Sequence, residues 1–293
     1  MPNFLKKILW ATDFSDEAQE ALVYASHFSK AFKARLLALH VIPDFPPNLY
    51  NTSAVIKGEL VRRLEAVKKE AREKLERIRE SKGIDFKPVI SKGTASKEII
   101  KVAEKEKADL IVIGKRGLSA IEKMFIGSVT NHVLRNSKVP VLVTKKRPHM
   151  PQFKKVLVPT DFSPQEEVER DYAWNLAKGL GSLEITIFHV LELHDYDFSP
   201  KAVEEMLEAA LKRLKKRRVR EKEEIKISEV VYRAINASLG IVDYAETNKY
   251  DLIVISTCVQ SKLERFLLGS TTEKVISLSS IPVFAIPPSR CAG

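Results

Sequence analysis

Short apolar, β-branched runs alternate along this chain with longer stretches whose apolar residues recur at helical spacing. In the first half the runs fall at 7–11, 35–41, 85–90, 110–114 and 139–144, and helical periodicity covers 15–32, 56–81, 96–105 and 128–136. The second half repeats the strand candidates at 155–159, 184–190, 228–233, 252–256 and 283–286. Runs that are brief and apolar throughout suit parallel strands buried on both faces. Their alternation with amphipathic helices predicts an α/β fold, a parallel sheet with helices on both sides.

The pattern is written twice. Trp10-Ala11-Thr12-Asp13-Phe14-Ser15 returns as Val158-Pro159-Thr160-Asp161-Phe162-Ser163, and Leu39-His40-Val41 as Phe188-His189-Val190. Asp109-Leu110-Ile111-Val112-Ile113 returns as Asp251-Leu252-Ile253-Val254-Ile255, Gly127-Ser128 as Gly269-Ser270, and Val139-Pro140-Val141 as Ile281-Pro282-Val283. A period of roughly 145 residues is too long for a solenoid and reads as a duplicated domain. The 293 residues suit two domains, each large enough for its own core. The pattern breaks at 145–152, where two prolines interrupt it, predicting domains at 1–147 and 152–293. The linker is short, so the halves are expected to pack together.

The chemistry concentrates after the fourth strand. Gly114-Lys115-Arg116-Gly117, nine more residues, and Gly127-Ser128 lie between an apolar strand and a helix that opens at Val129. Glycines let backbone amides approach an anion closely, and the first amides of a helix have no partners of their own. Ser128 adds a hydroxyl. The strand–loop–helix context favours a phosphate site over a simple turn.

Composition narrows the partners. No run is apolar enough to span a bilayer and the start lacks a signal-peptide core, predicting a cytoplasmic protein. Cys258 and Cys291 are the only cysteines, with neither disulfide framework nor zinc spacing. The net charge of +11 gathers at Lys212-Arg213-Leu214-Lys215-Lys216-Arg217-Arg218-Val219-Arg220, followed at once by glutamates. A solvated helix laced with i,i+4 pairs is preferred here over a nucleic-acid or membrane contact, because no nucleic-acid-binding motif accompanies it.

These residues resemble the universal stress protein family in tandem form. Its carriers are Ala11-Thr12-Asp13-Phe14-Ser15, His40-Val41, and a Gly114-x2-Gly117-x9-Gly127-Ser128 spacing that matches the nucleotide-binding branch. The resemblance implies two Rossmann- or flavodoxin-like domains, each a five-stranded parallel sheet in the order 3-2-1-4-5. The halves would pair through their last strands as an intramolecular pseudo-dimer; a further homodimer stays open. That order places Thr12-Asp13 opposite the Gly114 loop, in the crevice where the winding direction reverses.

By the same resemblance, Ala11, Thr12 and Asp13 would line the adenosine side, and the Val41 backbone would meet the adenine edge. Gly114, Gly117, Gly127, Ser128 and Val129 would hold ribose and phosphates. Lys115 or Arg116 would neutralise charge, and Asp13 would hold Mg beside ATP, ADP or AMP. Asp13 also reads as a helix cap, and His40 and His189 read as structural.

The second half has Ser256 and Val259 where Gly114 and Gly117 stand. A valine crowds a phosphate and disfavours positive φ, so nucleotide is expected in the first half, with Gly117→Val abolishing binding. The chain lacks a Walker loop and any clustered base beside the glycines, so little or no hydrolysis is expected. A ligand-free interaction scaffold and a slow nucleotide-dependent enzyme remain the alternatives.

Overall fold

In a computed structural model the described residues are 4–44, 54–116, 125–146, 152–163, 166–193, 198–216, 225–257 and 268–287. The first half runs β1 (Lys7–Thr12), α1 (Asp16–Phe32), β2 (Arg35–Ile42), α2 (Ala54–Lys82), β3 (Lys87–Lys92), α3 (Ala95–Glu106), β4 (Leu110–Gly114), α4 (Ser128–Asn136) and β5 (Val141–Thr144). The second repeats it as β6 (Lys155–Pro159), α5 (Glu166–Leu180), β7 (Glu184–Glu192), α6 (Pro200–Lys216), β8 (Lys226–Ala234), α7 (Ala237–Thr247), β9 (Leu252–Ser256), α8 (Ser270–Leu278) and β10 (Val283–Ile286). The third strand lies two residues later than its apolar run, and Phe86 just ahead of it is buried with its ring 5.8 Å from that of Trp10.

All ten strands form one sheet, β3-β2-β1-β4-β5-β10-β9-β6-β7-β8, so each half carries the order 3-2-1-4-5. Every pairing is parallel except β5 with β10, where Leu142 faces Phe284 across the seam between the halves. Alternation along each strand sorts its residues to two faces. Ile8, Trp10, Val112, Val158, Val254 and Phe284 pack under α1, α2, α5 and α6. Leu9, Ile111, Val141, Leu157, Ile253 and Val283 pack under α3, α4, α7 and α8. Each core is continuous across the seam.

The repeated Asp109 and Asp251 are architectural. Asp109 Oδ2 accepts from the amides of Lys6 and Lys7, and Asp251 Oδ2 from those of Lys154 and Lys155, tying the fourth strand of each half to its first. Between the halves α1 lies against α5. A Cβ on Gly179 would fall 2.0 Å from the Phe32 ring, so the ring fills the space that a side chain at 179 would take. Arg135 of α4 reaches Glu273 of α8 at 2.9 Å on the opposite face.

Part of the basic run is described. Arg213 stacks on the Phe162 ring at 4.2 Å and Leu214 is buried, so α6 turns one edge inward; 217–220 lie outside the described residues. Among the described residues, no helix is long and apolar enough to cross a membrane.

Candidate functional site

The end of β1 is a tight, repeated turn. Thr12 Oγ1 accepts from the Phe14 amide at 3.0 Å and Asp13 Oδ1 from the Ser15 amide at 3.0 Å, with Phe14 at φ 67°. A phenylalanine in the left-handed region is uncommon and needs support from its surroundings. His40 supplies it: its ring sits 4.3 Å from that of Phe14, and Nδ1 donates to the Thr12 carbonyl at 2.9 Å. The second half repeats all of this with Thr160, Asp161, Phe162 (φ 62°) and His189. The histidines are therefore braces. Ser15, whose side chain accepts from the Ala18 amide, caps α1, so the cap reading of Asp13 passes to Ser15.

Across from that turn, β4 ends at Gly114. The Thr130 hydroxyl donates to the Gly114 carbonyl at 2.9 Å, drawing the first turn of α4 against the strand end. The helix begins after Gly127 with no side-chain cap, leaving its first amides without partners from a capping side chain. Ala11, Thr12, Asp13, Val41, Gly114, Arg116, Gly127, Ser128 and Val129 all line one crevice of about 120 Å³, walled on the apolar side by Leu39, Ile99 and Ile113. Sequence positions about a hundred residues apart are thus brought together at the switch point between β1 and β4. Gly117 and Val259, as well as Cys258, Cys291 and 147–151 of the linker, lie outside the described residues.

Lys115 is placed elsewhere. Its amide continues the sheet ladder to the Thr144 carbonyl, and its ammonium donates to the Ser277 carbonyl in the last turn of α8. Burial, with Lys145 and Arg116 nearby, lowers its pKa to about 8. Its side chain thereby links the first half to the second. Arg116 stays at the crevice, its guanidinium 2.8 Å from Glu17 Oε1 and its amide donating to Glu17 Oε2 at 2.8 Å.

The equivalent crevice of the second half is larger, about 570 Å³, although its loop glycine is Ser256. It holds a group that the repeat pattern did not single out. The frame that pairs Asp13 with Asp161 also pairs Lys33 with Gly181, both left-handed. Ala18, Ala21 and Leu22 then correspond to Glu166, Glu169 and Arg170. Glu166 and Arg170 form a buried ion pair, and Glu169, 5% exposed, accepts from the Ser256 amide at 2.8 Å. A charged residue in an otherwise apolar helix stripe was the available signal.

Burial raises the Glu169 pKa to about 7, opposed by its hydrogen bond to Ser256 and aided by Asp161 and Glu166. His189 and Glu192 of β7 line the same cavity, and Arg170 lies one residue on. Because the unfolded carboxyl titrates near 4.5, the folded chain holds the extra proton between 4.5 and 7. The contribution of Glu169 to stability is therefore present below that window and lost as pH rises through about 7. Glu169→Gln is expected to melt higher than the parent at pH 8 and to lose this advantage at pH 5, as read by thermal unfolding at both pH values.

Among the described residues no group of three or more His, Cys, Asp or Glu is arranged to hold a metal ion.

A profile of the universal stress protein family matches residues 5–145 and again 152–287. A universal stress protein of Methanocaldococcus jannaschii is 36% identical over 147 residues, covering 49% of this chain and 84% of the relative. One from Mycolicibacterium smegmatis is 23% identical over 288 residues, 96% of this chain and 97% of its own. The crystal structure of a universal stress protein from Archaeoglobus fulgidus superposes with a TM-score of 0.64 at 25% identity, covering 97% of both chains.

Proposed function

The chain belongs to the universal stress protein family, and on that premise we propose that its first half binds an adenine nucleotide, ATP or ADP or AMP, as a stress-response or signalling protein with little or no hydrolysis. The observation that supports this most is the uncapped first turn of α4, opening at Gly127 onto the crevice that Ala11, Thr12, Asp13 and Val41 line from the other side. Partnerless helix amides attract an anion, and the apolar wall suits a base. A crevice of about 120 Å³ is below the ~300–1,000 Å³ of pockets that swallow a whole ligand. On this reading it seats the base, and the ribose and phosphates extend outward past Gly127, Ser128 and Arg116.

Chemistry follows from what surrounds the phosphates. The described crevice residues offer one carboxylate, Asp13, which the β1 turn engages, and no histidine among its lining. Among the described residues no general base is poised for water, which supports slow turnover or none.

The test is a mass-spectrometric count of small molecules released by denaturing the purified protein. About one adenine nucleotide per chain is the expected result. Two per chain would mean that both halves bind. None, together with no heat on titration with Mg-ATP, would leave a ligand-free scaffold.

A further inference from the structure

We propose that the cavity of the second half is a site for an uncharged nucleoside, and that Glu169 makes it so by setting a buried carboxylate beside the loop where a phosphate would lie. The inference rests on the reading of the first crevice as a nucleotide site, and it assigns the second a different ligand.

The cavity has the room. At about 570 Å³ it lies in the range of pockets that enclose small ligands. Its lining combines the apolar Phe188, Val190, Ile241 and Ile255 with the hydroxyls of Ser163, Ser270 and Thr271. A flat base against the apolar side chains and a ribose among hydroxyls fit that combination.

The charge is wrong for phosphates. The described lining includes three carboxylates, Asp161, Glu169 and Glu192, and no lysine or arginine; the first crevice has Asp13 and Arg116. Glu192 accepts from the Ala237 amide, at the start of α7. Glu169 accepts from the amide of Ser256, at the end of β9 where the loop begins. It stands where the first half has Ala21; the first half does set Glu17 on the Arg116 amide, but there the Arg116 guanidinium pairs with that carboxylate at 2.8 Å. A phosphate at that loop meets a buried negative charge already holding a loop amide, whereas a neutral ribose meets an acceptor.

The experiment is calorimetric titration of the full chain with adenosine and, separately, with Mg-ATP at pH 8, repeated on Glu169→Gln. Glutamine keeps an oxygen for the Ser256 amide and removes the charge. The parent is expected to bind about two adenosines and about one ATP per chain. Glu169→Gln is expected to gain a second ATP site, tightened at least tenfold over the parent. Three results overturn the proposal: two ATP sites in the parent, only one adenosine site, or no gain of ATP affinity in Glu169→Gln. In the last two cases a single ATP site in the parent leaves the first-half reading standing. Failure of the parent to bind either ligand removes both.

Discussion

Gly114→Val is expected to weaken Mg-ATP binding by about 100-fold or more, equivalent to roughly 2.7 kcal/mol, and to lower stability by about 1–3 kcal/mol. A Cβ at this position would lie 3.1 Å from the carbonyl carbon and oxygen of Glu17 and 3.2 Å from the oxygen of Arg116. All three are backbone atoms, which cannot rotate aside as a side chain can. Valine adds two methyls beyond that Cβ, so α1 must retreat from β4. That retreat displaces Glu17, which holds Arg116, and it pulls on the Gly114 carbonyl that anchors Thr130 at the start of α4. Both walls of the crevice move together. Gly114→Ala, which asks for only a few tenths of an ångström, should show a smaller version of both losses. Calorimetry with Mg-ATP and a thermal melt read the two effects; unchanged affinity in the valine variant would place the ligand away from this loop.

Phe153→Ala is expected to destabilise the chain by about 3–5 kcal/mol. Phe153 precedes β6, yet its ring is fully buried against the first half, 5.3 Å from Phe28 and 5.0 Å from His27 of α1, with Tyr24 edge-on at 6.2 Å. It is left-handed at φ 51°, and its carbonyl accepts from the Ser182 hydroxyl, so the backbone is fixed from the second half while the ring is fixed by the first. Truncation empties a site that neither half can refill by sliding. Denaturant unfolding, followed by tryptophan fluorescence, should shift to a lower midpoint and broaden as the halves lose cooperativity. Trp10 reports on the first half and Trp174 on the second. A loss under 1 kcal/mol, on the order of a surface substitution, would show that the seam does not depend on this ring.

How much of this was legible in the sequence varied with the kind of information required. The strand order and the meeting of Ala11-Thr12-Asp13 with Gly114 and Gly127-Ser128 followed from the repeated motifs and the resemblance they carry, because glycines and strand runs keep their meaning wherever side chains point. Directions were harder. Lys115 sits between two loop residues and reads as a phosphate ligand. Its amide, however, continues the ladder to Thr144, which sends the side chain to the negative C-terminal end of α8. That depends on the partner half, which no local pattern encodes. Phe14 and Phe162 were legible as repeats but not as left-handed residues, since their support comes from histidines on the neighbouring strand. Glu169 was hidden differently. It lies outside the repeated motifs, as a carboxylate on α5 in place of Ala21.

Because β5 and β10 pair on one chain, the two halves meet at an effective concentration of order mM and never search for each other in solution. Dilution, which weakens an association between separate chains, should leave the melting temperature of this one unchanged. The same tether loosens what each half must preserve. The second half carries serine at 256 in place of a loop glycine and glutamate at 169 in the core-facing stripe, while the continuous sheet keeps it in register with the first. The chain is in effect a heterodimer whose one-to-one stoichiometry is guaranteed by translation.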